Sequence, residues 1–69
     1  MTYNEVYEKY ECLVWLSYQA TNDARHGNIP WEDADKARSD VKTFKEEALA
    51  DGWQTSHSYA GIRVQRAIR

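Results

Sequence analysis

Few residues in this 69-residue chain are placed to do chemistry. Ser56-His57-Ser58 sets two hydroxyls beside an imidazole. Nucleophilic catalysis needs nucleophile and base to meet in space, with a third group orienting the base. On a strand, neighbouring side chains point to opposite faces, so this tripeptide reads as structural. His26, His57 and Cys12 are far apart in sequence. Zinc sites take several such ligands, usually in close pairs, and no such spacing occurs. The expectation for these three is a turn histidine, a strand or surface histidine and a small buried cysteine. Glu32, Asp33 and Asp35 cluster at a helix start. Hard cations want carboxylates on a shaped loop with a turn glycine, which is missing there. No glycine-rich phosphate loop is present, and Gly27, Gly52 and Gly61 all fall at turn positions. No catalytic, metal or cofactor-binding residue and no small-molecule substrate is therefore expected, and the chain reads as non-enzymatic.

Binding is the remaining chemistry. Aromatic residues make up 13% of the chain, as three Trp, five Tyr and one Phe. Tyr and Trp dominate interface hot spots, and large exposed apolar patches mark interaction sites. Tyr3, Tyr7, Tyr10, Trp15 and Tyr18 are the partner-binding candidates, competing with the alternative that these rings form the core. Charge offers a second candidate. Residues 1–51 hold six Lys/Arg against eleven Asp/Glu, a balance of −5, while residues 52–69 hold only Arg63, Arg66 and Arg69, a balance of +3. Arginines on phosphate with Trp53 or Tyr59 stacking on a base would make a small nucleic-acid patch. Strand alternation splits it, however, placing Arg63 and Arg69 on one face and Arg66 on the other.

These residues must be positioned by a few elements. Pro30 to Asp51 is the most readable stretch. Trp31, Ala34, Ala37, Val41, Phe44 and Ala48 recur at spacings of three and four, the apolar stripe of an amphipathic helix. Pro30 suits its first helical position, and Glu32 and Asp33 suit the positive end of its dipole. Residues 3–26 read as a longer helix closed by Gly27. Val6, Tyr10, Leu13, Val14, Ala20 and Ala24 share one broad side, with Tyr3 and Tyr7 at its edge. Ser17 and Thr21 interrupt that arc, and Trp15 falls on the opposite side. Tyr10–Tyr18 also fits an alternating strand, because a short apolar run cannot be assigned by periodicity alone. Trp53–Ser58 and Ile62–Ile68 read as two strands joined by Tyr59-Ala60-Gly61, a hairpin signal.

The expected architecture is one small α+β domain over residues 1–69: two helices followed by a C-terminal β-hairpin, with Val41 and Phe44 central. The alternative is β-α-β-β, one helix on a three-stranded antiparallel sheet. A chain this short buries only about 60% of its unfolded surface, so its core is marginal without a supplement such as oligomerisation. One cysteine and no secretion signal suggest a cytoplasmic setting, and no apolar run is long enough to span a membrane. A short acidic domain of this style is similar to many small phage and mobile-element proteins, a likeness of size class carried by no motif. The functional expectation is a protein-binding module that inhibits a larger host assembly. The alternative is a nucleic-acid-binding regulator using Arg63, Arg66 and Arg69. The expected partner is another protein, or a second copy through the first helix, ahead of nucleic acid.

Overall fold

The computed structural model describes residues 1–58 and 60–67. The order is α1 (Tyr3–Arg25), α2 (Trp31–Ala50), β1 (Trp53–Ser58) and β2 (Gly61–Arg66). The small α+β architecture with a terminal hairpin is thus the observed one, and Tyr10–Tyr18 is helix rather than strand.

Each helix end has a local cause. Thr2 caps α1: its hydroxyl oxygen accepts from the Glu5 amide at 3.3 Å and donates to Glu5 Oε1 at 3.1 Å. This Thr-x-x-Glu pairing uses the residues of a capping box and satisfies one of the orphan amides of the first turn. At the other end Asn28 N–H donates to the Asp23 carbonyl at 2.8 Å and Gly27 N–H to the Ala24 carbonyl at 3.1 Å. That is a Schellman closure, and it requires the left-handed backbone of Gly27, at φ +77°. Pro30 stands one residue earlier than expected. It is the N-cap of α2, with ψ 149°, and Trp31 is the first helical residue. Its ring still presets the entry into the helix, but its backbone remains extended.

β1 and β2 pair antiparallel from Trp53↔Arg66 to Ser58↔Gly61. Gly61 is the first residue of β2 rather than the last of the loop. β2 ends at Arg66, short of the expected Ile68: Ala67 is outside the strand, and residue 68 lies outside the described residues. Trp53, Thr55, His57, Ile62, Val64 and Arg66 share the face toward the helices. β1 packs on α2 and β2 on α1.

The core takes Val6, Tyr10 and Val14 from α1, Val41, Phe44 and Ala48 from α2, and Trp53 and Val64 from the hairpin. Tyr10 and Phe44 stack with ring centroids 6.4 Å apart. Toward the helix–helix turn only small residues, Ala24 and Ala34, are buried. Interaxial distance follows side-chain size, so the helices approach closely there. The two hydroxyls that interrupted the α1 arc are satisfied locally. Ser17 Oγ donates to the Val14 carbonyl at 2.7 Å and Thr21 Oγ1 to the Ser17 carbonyl at 2.8 Å. Such back-bonding lets a hydroxyl occupy a helix face without an unmet partner.

Two expectations of burial fail. Trp31, placed on the α2 stripe, is 51% exposed. It is the first residue of α2, beside the turn that follows the end of α1 at Arg25. Cys12 is exposed rather than buried, since it lies on the side of α1 turned away from α2 and the hairpin.

Candidate docking surface

The five aromatic candidates divide by position. Tyr10 is fully buried, so it belongs to the core and not to a surface. Its hydroxyl lies 2.6 Å from His57 Nδ1. Burial raises its phenol above the usual tyrosine range, with Tyr18 adding to the effect. The neighbouring Thr55 hydroxyl offsets part of this. Tyr3 and Tyr7 stack with centroids 6.0 Å apart, and the Tyr3 ring meets Trp53 edge-on at 6.0 Å. Trp53 itself is buried and donates from Nε1 to the Met1 carbonyl at 3.0 Å. Beside it the Met1 amino group is ion-paired with Asp51. Tyr3 and Tyr7 therefore form a lid over the end of the core, half packing and half surface.

Trp15 and Tyr18 are the open pair, 62% and 52% exposed. One helical turn apart, they are surface neighbours. They border an apolar groove between α1 and the hairpin tip, which His57 and Ile62 close on the other side. The Tyr18 ring meets the His57 ring edge-on at 5.9 Å. The α1 side of the groove runs from Tyr7 to Arg25, with Glu11 one turn in from the first and Arg25 at the far end. Among the described residues neither makes an ion pair; the pairs found are Met1–Asp51 and Arg38–Asp35.

His57, Glu11 and Arg25 were not among the partner-binding candidates. Glu11 and Arg25 could have been found, because they lie seven residues before and seven after Tyr18 on the same helix face. His57 could not, since its nearness to Tyr18 depends on how the hairpin folds back. Ser56 and Ser58 point to the opposite face of β1 from His57, so neither hydroxyl stands beside the imidazole.

The arginines do not gather. The Arg66 guanidinium lies over the Trp53 ring, 4.2 Å from its centroid, on the helix-facing side. Arg63 is exposed on the outer face. Arg69 lies outside the described residues. Among the described residues no cluster of His, Cys, Asp and Glu could hold a metal ion, and no helix is long and apolar enough to cross a membrane.

Compared with known proteins, the chain matches no family model, no curated protein and no solved structure.

Proposed function

We propose that this chain is a non-enzymatic protein-binding module whose docking face is the outer side of α1 from Glu11 to Arg25, walled by the hairpin tip. One observation carries this reading: Trp15 and Tyr18 stand exposed side by side at an apolar groove. Leaving two large rings in water is unfavourable by the area they expose, and docking recovers that term. Aromatic anchors seated in a groove are also the usual form of an interface hot spot. Acting by covering a surface, such a module would inhibit a larger assembly without chemistry of its own, as a small phage or mobile-element protein does.

A photo-crosslinking residue in place of Gln19, beside Tyr18, tests the reading. Adducts should form in lysate from the source cell and vanish with Trp15→Ala, while far-UV circular dichroism stays unchanged. Adducts that persist in both Trp15→Ala and Tyr18→Ala, each folded, would rule this face out.

A further inference from the structure

We infer that an occupant of the groove is a second copy of this chain, its α1 lying antiparallel to the first with Tyr18 on the two-fold axis. This rests on the reading of the groove as a docking face and names one partner for it.

Charge supplies the first argument. Glu11 and Arg25 lie on the groove face, neither ion-paired among the described residues. They sit seven residues before and seven residues after Tyr18. An antiparallel pairing centred on Tyr18 sets Glu11 of each copy against Arg25 of the other, and symmetry makes the pair twice. A parallel pairing would set like charge on like. The same register places each Trp15 ring over Thr21 of the other copy, so the most exposed ring meets a methyl-bearing side chain.

Shape supplies the second. α1 has 23 residues and β1 six. From the rise per residue the helix is roughly 35 Å long and the strand roughly 20 Å. The C-terminal part of α1 therefore projects past the hairpin, and the groove is open at that end. In the antiparallel arrangement the projecting half of each α1 enters the groove of the other. The hairpin tip, with His57 and Ile62, walls that groove. A core this small gains most from such a supplement.

The test is sedimentation equilibrium of the pure protein over a range of concentration, with charge reversals. Wild type should approach twice the 8.1 kDa chain mass. Glu11→Arg and Arg25→Glu should each weaken the dimer by about tenfold, since each places like charges together twice. The double variant Glu11→Arg/Arg25→Glu should recover wild-type affinity. Both residues are exposed and, among the described residues, unpaired, so circular dichroism should show all three variants folded. A wild-type monomer at every concentration overturns the dimer. If Trp15-dependent crosslinks to another protein still form, the docking face survives that result. If they too are missing, both readings fall. A dimer indifferent to the single reversals, or unrestored by the double one, overturns the antiparallel register.

Discussion

Tyr10 and His57 lie 47 positions apart in the chain, and their side chains meet at 2.6 Å. This contact ties the middle of α1 to the far end of β1. It also fixes where the buried ring ends and the open groove begins, because His57 carries Tyr18 on its other side. Tyr10→Phe keeps the ring stacked on Phe44 and removes only the hydroxyl. It should lower stability by about 1 kcal/mol, the worth of one net hydrogen bond. Tyr10→Ala opens the core and should cost about 3–5 kcal/mol. Urea unfolding of the two variants measures both.

The raised Tyr10 phenol gives a pH dependence with a definite sign. Below the ordinary phenol range both folded and unfolded chains hold the proton, and no difference arises. Above about pH 10 the unfolded chain loses its proton first, so stability falls as pH rises until the folded phenol ionises too. Urea midpoints at about pH 9 and about pH 11 should therefore drop more for wild type than for Tyr10→Phe. Equal drops would mean that Tyr10 ionises alike in both states.

The three tryptophans should separate cleanly on substitution by alanine. Trp53 is buried under Tyr3 and Arg66, and its loss should cost about 3–5 kcal/mol. Trp15 and Trp31 are exposed, and each should change the stability of the monomer, measured at low protein concentration, by no more than about 0.5 kcal/mol. Of these two only Trp15 should affect docking. Thermal unfolding beside crosslinking yield distinguishes all three.

Arg66 over Trp53 makes a prediction that also weighs the nucleic-acid alternative. Arg66→Ala should destabilise by about 0.5–1 kcal/mol and expose the indole to quenchers, whereas Arg63→Ala should do neither. If the hairpin arginines instead grip phosphate, Arg63→Ala alone should weaken retention on a polyanion column and reduce its salt dependence. Trp53 quenching and column elution read the two roles independently.

Gly52 closes α2 at φ +90° and leads directly into β1. A side chain there has space, with the nearest atom of Arg66 3.5 Å from an added Cβ, so backbone strain decides the outcome. Gly52→Ala should cost about 1–2 kcal/mol, seen as a lower urea midpoint at unchanged slope.

Local chemistry determined the elements of this protein. The three- and four-residue spacing of Ala34, Ala37, Val41, Phe44 and Ala48 specifies one inward-facing stripe. The glycines at 27 and 52 stop the helices because they accept a left-handed backbone at low cost. Alternation after Trp53 specifies a strand. Even Trp15 was legible as the ring on the wrong side of its helix. What tertiary structure alone decided was the reach of each covering element. Trp31 obeys the α2 stripe yet stays exposed, as the first residue of α2 beside the turn that follows α1. Tyr10 and Tyr18 are both tyrosines of one helix, yet one is core and the other surface, because the hairpin covers the first and stops at the second. A periodic pattern reports which face a residue occupies. Only packing between distant segments sets how much of that face is covered, and the docking surface is what remains.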